Sequence, residues 1–240
     1  MRSVLFCLAA GALLLVSTIF MGCKRIRGNG IMATQERQVA RAERISLMGS
    51  YDVEIEQGAQ TMVKVEADEN ILPYILTRNE DGKLVIRSKN NVSFSTDHTI
   101  KVYITTPRLE QLNLAGSGNI TGKNKFTGGD KLKLSIAGSG DIRIEVNTPS
   151  IEADIAGSGS MTLQGETRDQ TIKISGVGDY NADALKSETA KIKIAGVGNV
   201  KVFADASLDV NIAGGGSVYY KGNPSVKQHV SGSGEVKKTE

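Results

Sequence analysis

The sequence predicts an all-β protein folded as a parallel β-solenoid, with coils of roughly 18–22 residues. Three observations predict this fold. A Gly-x-Gly phrase preceded by Ala or Ser occurs seven times, its first glycines recur at intervals of 18 to 22 residues, and apolar residues alternate with polar ones around each copy. A fixed period of this size is typical of repeat proteins. Alternation with a period of two indicates half-buried strands.

The paired glycines mark the points at which each coil is expected to turn a corner. In the second copy the apolar parity continues from Ile136 through both glycines to Ile142. We therefore interpret each pair as a bend in one continuing strand, where inward-pointing residues without Cβ permit close approach. A stack of antiparallel hairpins is the alternative. The predicted corner glycines are Gly116, Gly118, Gly138, Gly140, Gly157, Gly159, Gly176, Gly178, Gly196, Gly198, Gly214, Gly216, Gly232 and Gly234.

Outward residues beside these glycines are expected to form columns along the stack. With coils about 4.8 Å apart, such a column would span on the order of 30 Å. It could engage a repetitive polymer, or it could be a structural ladder in which Asn, Asp and Ser bond to nearby backbone. The candidate polar ladder, one residue after each second glycine, is Asn119, Asp141, Ser160, Asp179, Asn199, Ser217 and Glu235.

One solenoid domain is predicted over residues 44–236, with the seven repeats in 109–236. Residues 44–108 read as irregular N-terminal coils that cover one end of the stack. They include a short helix for which Asp68 is the expected cap. The other end has no obvious lid, so it is a candidate surface for homo-oligomer formation through stacked ends.

The N-terminus has the layout of a secretory leader over residues 1–22, with one arginine followed by an apolar run. Phe20-Met21-Gly22-Cys23 resembles a bacterial lipobox, in which Cys23 is lipidated and anchors the protein to the membrane. An uncleaved membrane helix and simple secretion are the alternatives. Residues 23–43 have little apolar periodicity and are expected to form the lipidated cysteine and a tether.

Composition and spacing argue against several functional classes. The net charge of +3 is too small to indicate nucleic acid as a partner, and two cysteines do not make a disulfide framework. His98 and His229 are isolated, and Asp141 and Asp179 would lie two coils apart with no evident catalytic partner. The Gly-Asp spacing does not match calcium-binding repeats. We predict no catalytic residue, no metal site and no cofactor.

A family resemblance adds to this interpretation. The phrases GSYDVEIEQG at 49–58 and ITTPRLEQLNLAGSGNI at 104–120, with the serial AGSG-type turns, resemble the head GIN domain family of putative auto-transporter adhesins. The resemblance covers residues 44–236 and implies an all-β helical stack in the bacterial envelope, with no catalytic residue to carry over.

We therefore expect an outer-membrane lipoprotein that binds an envelope polysaccharide or a protein partner. The absence of an acidic tract after Cys23 favours the periplasmic face over the cell surface. A self-assembling scaffold is the first alternative, and a β-helical enzyme acting on polysaccharide is the second.

Overall fold

A computed structural model describes residues 24–240, so the predicted leader and Cys23 lie outside the described residues. Two long sheets form the walls of a parallel β-solenoid of about seven turns with coils of about 19 residues. One wall has ten strands, the other has eleven, and a separate two-stranded sheet lies at the N-terminal end. The predicted fold class is confirmed.

The part of the chain before the regular repeats contributes nine strands and one short 3-10 helix. In chain order these are β1 (Lys24–Arg27), β2 (Met32–Arg37), β3 (Arg44–Met48), β4 (Asp52–Gln57), β5 (Met62–Asp68), the 3-10 helix (Leu72–Tyr74), β6 (Ile75–Glu80), β7 (Lys83–Ser88), β8 (Val92–Ser95) and β9 (Lys101–Thr106). Strand β5 pairs antiparallel with β2 and β9, and β6 pairs antiparallel with β7. These pairs end both walls, so they cap the stack as expected.

The seven repeats contribute two strands each. They are β10 (Gln111–Gly116), β11 (Asn119–Thr127), β12 (Lys131–Gly138), β13 (Asp141–Asn147), β14 (Ser150–Gly157), β15 (Ser160–Glu166), β16 (Asp169–Gly176), β17 (Asp179–Lys186), β18 (Thr189–Gly196), β19 (Asn199–Phe203), β20 (Ser207–Gly214), β21 (Ser217–Lys221), β22 (Ser225–Gly232) and β23 (Glu235–Lys238). Even-numbered strands from β10 lie in the ten-stranded wall and odd-numbered strands from β11 in the other. Every pair between repeats is parallel, which excludes the hairpin alternative.

The core is a set of columns in which like residues from successive coils lie above one another. One column joins Ile136, Ile155, Ile174, Ile194 and Ile212, each at most 2% exposed. Burial of an aliphatic side chain of this size contributes roughly 1.5–3 kcal/mol. The residues that the alternation assigned to the inward face are therefore those that fill the core of the solenoid.

One coil places a polar side chain in the core. Gln170 is stacked between its register partners Ile151 and Ala190 in the neighbouring coils. Both the nitrogen and the oxygen of its side-chain amide form hydrogen bonds. Its Nε2 donates to Ser187 Oγ at 2.8 Å and to Phe203 O at 3.2 Å, and its Oε1 accepts from Tyr180 at 3.2 Å. Burial raises the pKa of Tyr180, which keeps its hydroxyl protonated as a donor.

The predicted short helix is wrong in type, extent and cap. The structure has a single 3-10 turn at Leu72–Tyr74, with Ile71 at its N-cap position and no side-chain capping bond. Pro73 has no N–H to donate within the turn, and Ile75, the residue that follows the turn, is extended. The Asp68 carboxylate instead accepts hydrogen bonds from Gly30 and Thr96.

The predicted tether over residues 24–43 also differs from the structure. Strand β1 pairs in parallel with β8, and β2 pairs antiparallel with β5. Ile26 and Ala42 are buried in the same core as the coils. Backbone hydrogen bonding to an existing edge can order a segment without an alternating apolar pattern, so no local pattern predicted these strands. Within the described residues the folded unit includes β1 from Lys24, and its last strand ends at Lys238.

The two ends of the stack differ. Strands β22 and β23 are the terminal strands of the two walls, and nearly all of β22 is exposed. Val226 is 38% exposed, whereas the equivalent Leu208 one coil below is buried. Lysines such as Lys227 and Lys237 follow this edge, a feature that discourages strand addition. Self-association at this end stays a prediction.

Candidate binding surfaces

The first glycine of each pair lies where the chain passes from one wall to the other. Its φ lies between +129° and +142° in all seven copies, a backbone conformation that favours glycine. A Cβ on Gly138 would lie 2.3 Å from the carbonyl oxygen of Gly116 in the preceding coil. The first glycines are half-buried, except for the exposed Gly232 in the last coil. A Cβ on any of them would meet the backbone of the preceding coil and not the core.

The second glycine is buried in the first six pairs, and Gly234 in the last coil is half-buried. A Cβ on Gly159 would lie 2.3 Å from Gly140 O and 2.7 Å from Cγ2 of Ile136. The expectation that both glycines point inward is therefore right for the second glycine and wrong for the first. The bend is also a true corner, because β10 ends at Gly116 and β11 begins in the other wall at Asn119.

The predicted polar ladder lies in one column at the start of the eleven-stranded wall's strands. Asn119, Asp141, Ser160 and Asp179 are successive register partners, as are Asn199, Ser217 and Glu235. Hydrogen bonds between Asp179 and Asn199 join the two groups. The structure thus brings together all seven candidate residues.

The ladder extends one coil further than the sequence analysis placed it. Asp52 is the register partner of Asn119, and its Oδ1 accepts a hydrogen bond from Asn119 Nδ2 at 2.8 Å. The available signal was Gly49, three residues before Asp52, which has φ +139° like the first glycines of the repeats. Ser50 and Tyr51 replace the usual x-Gly, so the phrase did not match the repeat.

Several side chains of the ladder form hydrogen bonds with the neighbouring coil. Asp141 Oδ1 accepts from the backbone N–H of Ser160 at 3.2 Å. Asp179 Oδ1 accepts from both the backbone and the side-chain amide of Asn199 at 3.1 Å. Both of these contacts use Oδ1, so Asp179 Oδ2 has no hydrogen-bond partner among the described residues. The column is therefore a structural ladder that still presents polar atoms to solvent.

A narrow ridge runs beside the ladder at the corner itself. It is made by the residue between the two glycines of each copy, and two adjacent coils place apolar side chains there, with Val177 61% and Val197 56% exposed. Ser139 and Ser158 occupy the same position in earlier coils and are exposed. The ridge has a small apolar section within a polar column.

The outer face of the ten-stranded wall carries charges in rows. Glu152 contacts Lys131 at 2.6 Å, Lys133 at 3.5 Å and Lys173 at 3.6 Å. The hydrogen bond from Lys131 is the main reason that the pKa of Glu152 is lowered. Lys191 and Lys193, further along the stack, are exposed and form no ion pair within residues 24–240. Exposed pairs of this kind contribute at most about 1 kcal/mol each.

A polar cavity of about 390 Å³ lies at the N-terminal end of the stack, beside β1 and β8. Asp68, which is 1% exposed, is one of the residues that line it. Its carboxylate accepts from Gly30 N at 2.7 Å and from Thr96 Oγ1 at 2.5 Å, and it lies 3.4 Å from Nδ1 of His98. These contacts, led by the Thr96 bond, lower the pKa of Asp68 despite its burial.

The two histidines lie at different places in the fold, and neither belongs to a recognisable catalytic arrangement among the described residues. His98 was expected to be isolated, but it contacts the buried Asp68 while its own side chain is 42% exposed. His229 is exposed in β22, the last strand of its wall. Within residues 24–240 there is no group of three or more His, Cys, Asp and Glu side chains placed to hold a metal ion. The same residues contain no helix long and apolar enough to cross a membrane.

Stacked parallel coils, glycine corners and an outward polar column define this chain as a β-solenoid repeat protein. The chain belongs to the family described as "Putative auto-transporter adhesin, head GIN domain", whose model matches residues 43–224. The resemblance noted from the sequence is thereby confirmed. A comparison with curated proteins finds no match.

Solved structures share this architecture over most of the chain. A putative lipid binding protein from Parabacteroides distasonis is 29% identical, with a TM-score of 0.75, and the match covers 90% of this chain and 100% of that one. A putative adhesin from the same species is 26% identical, with a TM-score of 0.73 and coverage of 90% and 100%. A putative adhesin from Bacteroides fragilis, 22% identical with a TM-score of 0.80 and coverage of 89% and 100%, shows the fold alone.

Proposed function

We propose that this protein is a lipid-anchored binding protein of the bacterial cell envelope. It attaches to the outer membrane through Cys23 and holds an envelope polysaccharide or a protein partner against the flank of its solenoid, without catalysis. Membership of an adhesin-like family supports an envelope protein that binds. The names of the solved neighbours, two adhesins and a lipid binding protein, also describe binding proteins and not enzymes.

The polar ladder is the observation that carries the binding proposal. Its members repeat at the coil spacing of about 4.8 Å on a wall that is hydrogen-bonded from end to end. The contacts between Asn119 and Asp52 and between Asp179 and Asn199 hold the side chains in place before any ligand arrives. A preorganised row of this kind suits a polymer whose own groups repeat, since several weak contacts then act together.

Reversing the charge of the ladder is expected to weaken binding. The double variant Asp141→Lys with Asp179→Lys replaces two acceptors by cations, and we expect affinity to fall at least about tenfold. The measurement is binding of residues 24–240 to an array of purified envelope glycans and envelope proteins. Circular dichroism and the melting temperature check that the solenoid remains folded.

The matched control for this variant is Glu188→Lys with Asp205→Lys. Both acidic residues are exposed, lie outside the ladder and undergo the same change of charge. We expect this control to bind like the original chain. Equal loss in both double variants, or undiminished binding by the ladder variant, would contradict a recognition role for the ladder.

The anchoring proposal has a separate test. We expect Cys23→Ala to abolish labelling by radioactive palmitate and to prevent maturation by lipidation. Fractionation and the size of the chain then separate the alternatives. An unlabelled original chain that stays in the membrane at full size would instead support an uncleaved helix. An unlabelled, shortened chain in the soluble fraction would support simple secretion.

A further inference from the structure

The first residues of the solenoid combine basic and exposed apolar side chains. Lys24, Arg25 and Arg27 in β1 are all exposed, and the chain has no acidic residue between Cys23 and Glu36. Ile31 is 56% exposed and Met32 is 39% exposed, just after the turn that follows β1. We call Lys24, Arg25, Arg27, Ile31, Met32 and Lys89 the N-terminal patch.

The structure holds the apolar part of this patch in place. Gly30, with φ +79°, makes the turn before Ile31, and its N–H donates to Asp68 Oδ1 at 2.7 Å. The carbonyl oxygen of Ile31 accepts from Glu69 N at 2.9 Å. Asn70 Nδ2 donates to Arg27 O at 2.8 Å on the other side of the turn. Ile31 therefore projects from a hydrogen-bonded segment and is not an exposed residue of a loose end.

Positive charge predominates on the patch. Lys24 and Lys89 lie over the same ring, 5.4 and 5.1 Å from the centre of Tyr74. None of the four basic residues forms an ion pair within the part of the chain that the structure describes, and Arg25 donates to Ser95 Oγ at 3.1 Å. The nearby acidic groups are Asp97, Glu69, which accepts from Asn29, and the buried Asp68.

We infer that the N-terminal patch docks directly on an anionic phospholipid surface. Lys24 of β1 is the residue next to Cys23, and one residue spans at most about 3.6 Å. If Cys23 is lipidated as proposed above, the patch is held against the headgroups with no tether between them. Lys and Arg near an anionic bilayer then attract its phosphates, and exposed apolar side chains enter the interface.

This docking would orient the whole solenoid. The capped N-terminal end would face the membrane, and the successive coils would rise from it to the open strands β22 and β23. The polar ladder, which runs along the stack, would then extend away from the membrane. This placement leaves the ladder accessible to a polymer along its full length.

Vesicle binding by residues 24–240 tests the inference. This segment contains every described strand and the whole core, and solved chains matched along their full length cover about nine tenths of the present chain. It lacks Cys23, so the result does not depend on whether that cysteine is lipidated. Cosedimentation is measured with vesicles of phosphatidylcholine alone and with vesicles in which about a third of the lipid is phosphatidylglycerol.

We expect binding to the anionic vesicles, weakened by high salt, and much less binding to the neutral ones. Arg25→Glu with Arg27→Glu should weaken this binding at least about tenfold. Ile31→Ser with Met32→Ser should weaken it by several fold through loss of apolar insertion. The matched control is Lys191→Glu with Lys193→Glu, an equal change of charge on the side wall, which should stay within about twofold.

Three results would overturn the inference. They are no binding to anionic vesicles, equal binding to neutral vesicles, and an equal loss in the Lys191 and Lys193 control. Melting temperatures of all variants check folding, and the Ile31 and Met32 variant provides a second reading that involves no change of charge. A chain whose anchoring fails but whose patch binds vesicles would refute the proposed lipidation and leave the patch intact.

Discussion

Replacing Gly138 by alanine is expected to lower the free energy of unfolding by about 3–5 kcal/mol. The new Cβ would lie 2.3 Å from Gly116 O, which belongs to a hydrogen-bonded wall and cannot move alone. The residue would also keep a φ of +140°, which alone costs about 1–3 kcal/mol for a residue other than glycine. Overpacking adds about 1–3 kcal/mol. Chemical denaturation measures the change.

Gly128→Ala is the matched control for this prediction. Gly128 also has positive φ, +81°, but a Cβ there would meet no atom within 4 Å. We expect a loss of only about 1–2 kcal/mol, from backbone strain alone. The difference between the two variants therefore contains the collision between coils together with any extra backbone strain at φ +140°. Equal losses would show that backbone conformation, and not the close approach of coils, requires glycine at the corner.

Asp68→Asn is expected to destabilise the N-terminal cap by roughly 1–3 kcal/mol at neutral pH. The buried carboxylate accepts hydrogen bonds from Gly30 and Thr96, and an amide can satisfy only part of this arrangement. Asp97→Asn, an exposed neighbour, is the control and should change stability by less than about 0.5 kcal/mol. Denaturant unfolding of residues 24–240 measures both.

The effect of Asp68 should depend on pH in one direction. The Thr96 hydrogen bond, with Gly30 and His98, lowers the pKa of Asp68 in the folded protein below its ordinary value of 3.8. The stabilisation is therefore complete above the unfolded-state pKa and is lost as the pH falls through the lower, folded-state pKa. The difference between the original chain and Asp68→Asn should shrink below about pH 4. A difference that grows on acidification would contradict an ionised Asp68.

This carboxylate also connects the cap to the proposed membrane contact. Asp68 holds Gly30, the residue before Ile31, so its loss should loosen the segment that presents the apolar part of the N-terminal patch. Arg25 and Arg27 lie on β1, which pairs independently with β8. The charge-dependent and apolar contributions to vesicle binding can therefore be separated.

Within the repeats, the sequence was sufficient to predict most of the structure. The alternation of apolar and polar residues around Ile136 and Ile142 placed both residues in the core. The repeat period correctly made Gly138 and Gly157 register partners in neighbouring strands. Alternation is informative here because each strand has one buried and one exposed face. The position of a residue along the strand therefore decides whether its side chain points into the core or to solvent. The column from Asn119 to Glu235 followed from the same count.

Outside the repeats, pairing partners could not be deduced in this way. Strand β2 has no buried residue, and its order comes from backbone pairing with β5. Asp68 looked like a helix cap, although its partners Gly30 and Thr96 are about 30 to 40 residues away in the chain. Contacts of this kind depend on where chain segments meet, and a local pattern does not contain that information.

The amino-acid sequence by itself determined the coil length, the inward face and the alignment of the seven repeats, because periodic burial of aliphatic side chains allows one register. Only the tertiary structure decided that the first glycine of each pair faces the backbone of the coil below, that Asp52 extends the ladder, and that residues 24–43 belong to the folded unit. Those features arise from close approach between segments distant in sequence, where the backbone of one coil is the environment of the next.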